Sequence, residues 1–249
     1  MTLSPIPKVL STFLKHKVKA LLIGGQACIL YGAAEFSRDI DLVIMVSPEN
    51  LEDLKNALEE LGAKRVFYPA LSEEVLLRGH ACHFRCQRED VKGFRVDVIG
   101  VMRGVDSFPE LWSRRREIEL PSVGKMPVIG LADLVKTKKT QRDKDWPMIR
   151  RLIEADIFNA PDDPPDVRLS FWFAECRTPE LLTLLAAKYP GIATRMAKRR
   201  PLLSAAMEGD QELVRYLLRE EEEQEREADR RYWGPLRKQL QEWRSQVLK

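Results

Sequence analysis

The chain has 249 residues, with 41 Lys and Arg against 38 Asp and Glu and a formal net charge of +3. That length buries ample core and suits two domains better than one, while so even a charge balance argues neither for nor against a nucleic-acid partner. Four cysteines are too few for a disulfide framework, no stretch approaches the roughly 18 apolar residues of a membrane span, and Met1-Thr2-Leu3-Ser4-Pro5-Ile6-Pro7 lacks a signal-peptide core, so a soluble cytoplasmic protein with reduced thiols is expected.

Leu21-Leu22-Ile23-Gly24-Gly25-Gln26-Ala27-Cys28-Ile29-Leu30-Tyr31-Gly32 reads as a short buried strand, a glycine turn and the first turns of a helix. Glycines let backbone approach a ligand closely, and the N–H groups at the start of the helix favour phosphate. No Gly-Lys-Ser/Thr follows and the spacing is not that of a dinucleotide fingerprint, so both of those phosphate loops are excluded. Ser37-Arg38-Asp39-Ile40-Asp41-Leu42-Val43-Ile44 follows as a strand on which Asp39 and Asp41 share one face, their Cα atoms roughly 6–7 Å apart, while Ile40, Leu42 and Ile44 face a core. Two adjacent carboxylates repel unless a cation lies between them, and hard oxygen ligands beside a phosphate cradle suit Mg²⁺ or Mn²⁺. A bare Asp-x-Asp is more often a solvated strand face; the upstream glycines tip the balance.

His80 to Gln87 and Gly93 to Met102 read as a hairpin joined by a charged turn. Its second strand carries Asp97 between β-branched residues, a costly place for a carboxylate unless something binds it. Asp39, Asp41 and Asp97 together are the set that two metal ions need for in-line transfer of a nucleotidyl group. The cluster His80, Cys82, His83 and Cys86 offers zinc donors, but strand alternation puts His83 on the opposite face from the other three, so buried cysteines beside a solvent-facing histidine are expected instead. Leu131, Leu134, Val135 and Lys138 recur at helical spacing, and Pro147 suits the start of a following helix.

After Asn159-Ala160-Pro161-Asp162-Asp163-Pro164-Pro165, a domain edge, the chain reads as helical throughout. The segment from Phe173-Ala174 to Leu185 matches that from Ala205-Ala206 to Leu217 at an offset of 32 residues, in the manner of ankyrin helix pairs, though two copies are fewer than a stable array needs. Arg219 to Arg231 has the composition of a solvated helix, Tyr232-Trp233-Gly234-Pro235 is expected to break it, and Leu236, Leu240, Trp243 and Val247 form an apolar stripe that packs on this chain or on a protein partner. The basic runs Arg114-Arg115-Arg116, Lys138-Lys139 and Lys198-Arg199-Arg200 are placed to touch phosphates. The expected fold class is α/β: a small mixed-sheet domain over residues 1–159 and a helical domain over 166–249.

The Gly-Gly turn, the Asp-x-Asp strand, the later strand aspartate and the basic helix, in that order over residues 18 to 157, resemble the DNA polymerase beta-type nucleotidyltransferase superfamily, most closely its small bacterial members, both minimal enzymes and abortive-infection toxin-like proteins. The resemblance implies transfer of an NMP from an NTP such as ATP to a hydroxyl on tRNA or other RNA, a protein or a small molecule, with two Mg²⁺ (or Mn²⁺) ions on Asp39, Asp41 and Asp97. It implies a nucleotide site at Gly24, Gly25, Ser37, Arg38, Lys136, Arg142 and Lys144, with Lys136 and Lys144 facing phosphates where a cation stabilises the leaving pyrophosphate. Singly, each of these lysines reads as a solvated surface charge. Two departures stand out: Glu35 where relatives carry arginine, and Gly25 where many active members carry serine. They favour an alternative, a catalytically weak or silent binding protein of a toxin–antitoxin pair.

Overall fold

The computed structural model describes residues 5–34 and 36–247; the side chains of Gln246 and Val247 are outside that description. Helix α1 (Ile6–Lys15) leads into strand β1 (Ala20–Ile23), α2 (Gly24–Leu30) and β2 (Asp39–Ile44). Then come α3 (Pro48–Glu60), β3 (Lys64–Arg65), α4 (Glu73–Leu77), β4 (Cys82–Arg85) and β5 (Arg95–Ile99), with one 3-10 turn over Glu89–Val91 between the last two. After α5 (Phe108–Ser113), β6 (Arg116–Leu120) and β7 (Gly124–Val128), the rest is helical: α6 (Leu131–Thr137), α7 (Asp145–Phe158), α8 (Asp166–Glu175), α9 (Pro179–Lys188), α10 (Pro190–Ala197), α11 (Leu202–Glu208) and α12 (Gln211–Val247). The chain has the mixed α/β class expected, and no helix among the described residues is long and apolar enough to cross a membrane.

The seven strands form one sheet in the order β3-β4-β5-β2-β1-β7-β6. Strands β2 and β5 pair in parallel, as do β1 and β7, and the other neighbours are antiparallel. Alternation gives the sheet one apolar face: Ile40, Leu42, Val96, Val98 and Cys82 are fully buried, whereas Asp39, Asp41, His83, Arg85, Arg95 and Asp97 on the other face are partly or largely exposed. Strand β1, buried at every position, is held by Asn50 of α3. The Asn50 side-chain amide donates to the carbonyls of Lys19 and Met45, and its Oδ1 accepts from the Lys19 N–H at 2.7 Å. This fixes the β1 and β2 ends that lie opposite the carboxylates.

By contact density the chain forms two units. The first comprises residues 1–30, 34–137 and 232–249, and the second residues 31–33 and 138–231. The division falls at Thr137 rather than at the Pro-rich segment near residue 160, because α7 belongs with the helices that follow it: Asp156 of α7 accepts from Trp172 Nε1 and Arg168 of α8, and Glu154 accepts from the Thr178 hydroxyl. In the second unit the 32-residue sequence offset sets residues of α8 and α9 against residues of α11 and the start of α12, with Phe173 matching Ala205 and Leu182 matching Val214, all four buried.

Helix α12 corrects two expectations. It runs through Gly234 and Pro235 without a break; proline removes one backbone hydrogen bond, which a long helix survives. Its charged stretch is not simply solvated. Asp229 is 2% exposed and accepts from the Gln141 backbone N–H, and Arg226 donates to the Gln141 carbonyl and Asp143. Within the first unit Trp243 of the apolar stripe lies against His80 at 4.9 Å between ring centres and meets Tyr68 edge-on, while the side chain of Val247 is outside the described residues.

Candidate active site

Register, not proximity in sequence, assembles the acidic site. Asp39 and Asp41 stand two residues apart on β2, and Asp97 lies directly beside Asp41 on the parallel neighbour β5. One carboxylate oxygen from each of the three lies within 4.8 Å of the others. Like charges this close require a compensating cation, and three hard oxygen donors on an open sheet face match the donor set of Mg²⁺ or Mn²⁺. The backbone makes room for them. Gly24 is in the left-handed region (φ +66°), and a Cβ there would sit 2.6 Å from Asp41 Cγ and collide with Asp41 Oδ2. Only glycine lets the β1–α2 turn approach that carboxylate.

Asp97 already has partners. Arg95, two residues earlier on the same face, donates through Nε at 2.8 Å and through NH2 at 2.6 Å, and the His83 ring nitrogen Nδ1 lies 2.8 Å from Oδ1. Burial pushes the Asp97 carboxyl up, but the His83 and Arg95 hydrogen bonds outweigh it and leave the group below its ordinary range. The bond to Asp97 raises the Arg95 guanidinium in turn, with smaller contributions from Asp39 and Asp41. Ser37 Oγ donates toward the Asp39 carbonyl at 3.2 Å and Oδ1 at 3.3 Å. A Cβ on Gly25 would lie 2.5 Å from that same Ser37 Oγ, so the space for a side chain at position 25 is filled by the hydroxyl of residue 37.

The other nucleotide-site candidates are spread out. Arg38 is exposed and stacks at 5.7 Å on the exposed ring of Phe36. Lys136 on α6 reaches to 3.9 Å from Asp133, a buried carboxylate clamped by Arg114. Arg142 and Lys144 belong to the second unit; Arg142 Nε donates to Asp145 at 2.7 Å, and Lys144 is exposed. Glu35 lies outside the described residues.

No protein-family model and no curated protein matches the sequence. Solved structures match it at low identity. One is a Helicobacter pylori protein assigned as a nucleotidyltransferase, 15% identical, covering 86% of this chain and 93% of that one with a TM-score of 0.41. Another is a Thermotoga maritima protein with the same assignment, 18% identical, covering 51% and 75% at a TM-score of 0.35. A third, ANT(2")-Ia in complex with adenylyl-2"-tobramycin, is 13% identical and covers 78% and 96% at a TM-score of 0.36. The neighbours described by activity are nucleotidyltransferases.

Two site residues escaped the sequence reading, and both had a signal in it. Arg95 precedes Asp97 by two, hence on the same strand face, and His83 lies opposite Asp97 once β4 and β5 are paired. His83 is therefore turned to the carboxylate rather than only to solvent. Cys82 and Cys86 are buried as expected, and burial pushes both thiols up to about 11. Members of two of the basic runs are engaged internally, while Arg116, Lys198 and Arg199 stay exposed. Arg114 clamps Asp133, Arg115 lies over Trp112 at 4.2 Å, and Arg200, 7% exposed, donates to Glu221 and to the carbonyls of Phe173 and Cys176.

Proposed function

We propose that this chain transfers a nucleoside monophosphate from an NTP to a hydroxyl acceptor, using the carboxylates Asp39, Asp41 and Asp97. The observation that carries the reading is their convergence from two strands to within 4.8 Å, beside a turn that only glycine can make. Asp39 and Asp41 would hold divalent metal together with the triphosphate, and Asp97 would share the ion nearer the acceptor. Bound there, the metal would neutralise phosphate charge and acidify the acceptor hydroxyl. Gly24 and Gly25 leave backbone accessible to the triphosphate, with Ser37, Arg38 and Lys136 as further nucleotide contacts. In the transfer the acceptor oxygen bonds to the α-phosphorus, the bond to the bridging oxygen of pyrophosphate breaks, and the hydroxyl proton passes to Asp97.

The experiment is incubation with α-labelled NTPs, Mg²⁺ or Mn²⁺ and a cell extract. Labelled product is expected with the native chain and none with Asp39→Asn or Asp41→Asn, since either change removes half of the Asp39–Asp41 pair that would hold the metal with the triphosphate. Full activity in either variant overturns the assignment.

One observation favours a second reading, a silent binding protein of a toxin–antitoxin pair. Arg95 engages both oxygens of Asp97, and metal must compete with that guanidinium. Under this reading Arg95→Ala gains metal affinity but no transfer; under the first, MgNTP binding and transfer are both present in the native chain.

A further inference from the structure

The open sheet face continues past the carboxylates, and its character changes. Cross-strand partners share a face, so Asp39, Arg95, Arg85 and Lys64 form one row across β2, β5, β4 and β3, and Asp41, Asp97 and His83 form the next. Arg85 and Lys64 therefore stand roughly 5 and 10 Å beyond Arg95. Both are exposed, and among the described residues neither forms an ion pair. Apart from Asp97, the open face of β3, β4 and β5 carries no carboxylate. Phe67, just past β3, is 51% exposed and meets the His83 ring edge-on at 6.0 Å.

Unpaired cations in the row next to the acceptor-side carboxylate, with a half-exposed aromatic ring alongside, are what a strand of phosphates and flat bases requires. A polycationic acceptor would meet repulsion on this face, and a neutral sugar would have no use for Arg85 and Lys64. We propose that β3 and β4 form the acceptor-binding surface and that the acceptor is the end of a single-stranded nucleic acid. Its phosphates lie on Lys64 and Arg85, a base stacks on Phe67, and its terminal hydroxyl is delivered to Asp97. The acceptor role rests on the nucleotidyltransferase reading above; the binding surface does not.

The test uses the full chain and a fluorescein-labelled single-stranded oligoribonucleotide of mixed sequence, with affinity measured by anisotropy across a salt series and MgNTP binding measured in parallel. Lys64→Glu/Arg85→Glu should weaken strand binding at least tenfold at low salt and reduce the log–log salt slope by about 1.4, since each phosphate contact on a single strand contributes about 0.7. Phe67→Ala should weaken binding on the order of tenfold with the slope unchanged, because stacking releases no counterions. This split between slope and affinity is one that a general loss of structure would not produce. All three residues lie outside the nucleotide site, so MgNTP binding should be unaltered. Native chain and charge-reversed variant binding the strand equally, with MgNTP binding intact, overturns the surface and leaves the transfer reading standing. Strand binding that follows the expected pattern without MgNTP binding confirms the surface and overturns its role in transfer.

Discussion

Gly24 and Gly25 sit against different side chains, and the two collisions that a Cβ would cause there have different consequences. At position 24 an alanine is forced both into a left-handed backbone and onto Asp41, so Gly24→Ala should cost roughly 1–3 kcal/mol in strain and displace a carboxylate. The expected outcome is at least a tenfold loss of Mn²⁺ affinity by calorimetric titration, and unchanged affinity would show that Asp41 binds nothing. At position 25 the obstacle is only the Ser37 hydroxyl. Gly25→Ser alone should therefore impair nucleotide binding, while Gly25→Ser with Ser37→Gly, which moves the hydroxyl from residue 37 to residue 25, should restore it. If the double variant is as poor as the single one, the two positions do not exchange roles.

At the level of elements, Asn50 is the piece that joins α3 to the β1–β2 pair. Asn50→Ala leaves the Lys19 N–H and two carbonyls without the amide, and each buried orphan costs about 1–3 kcal/mol. Urea denaturation should show a loss of about 2–4 kcal/mol. MgNTP binding should persist under native conditions because no site residue is touched. The β4 end of the sheet offers a second check. With thiols near 11, roughly one in a thousand of Cys82 and Cys86 is ionised at pH 8, and both are buried. Iodoacetamide should leave them unlabelled in the folded protein and modify them in urea; rapid native labelling would mean that the strand pairing opens readily.

For the whole molecule, the chain's last helix returns to the first unit, and a chain cut near residue 160 would retain Asp39, Asp41 and Asp97 yet lose Trp243 from its place beside His80 and Tyr68. The exposed patch should make that fragment aggregate. The milder Trp243→Ala should fold and lower stability by about 2 kcal/mol, read as a drop in the calorimetric melting temperature. A fragment ending near residue 160 that stays monomeric and as stable as the full chain would show that the C-terminal packing contributes nothing.

Much of the site was legible in the chain itself because strand alternation and glycine geometry are local: Asp39 and Asp41 share a face by spacing alone, and Gly24 and Gly25 mark a close backbone approach whatever the fold. The apolar residues alternating with the aspartates, Ile40 and Leu42, likewise announced the buried side of the sheet. What spacing could not supply was register. Asp97 came near Asp41 only because β5 lies beside β2, a parallel pairing set by a crossover distant in sequence, and His83 faces Asp97 because the β4–β5 hairpin adopts the register that puts them opposite each other. The same holds for charge. Arg114, Arg200 and Asp229 look like surface residues in sequence and are engaged in internal clamps, whereas Arg85 and Lys64, unremarkable as single residues, become neighbouring cations once β3 and β4 align them. Local backbone preference decides which way a side chain points; only the assembled sheet decides what it points at.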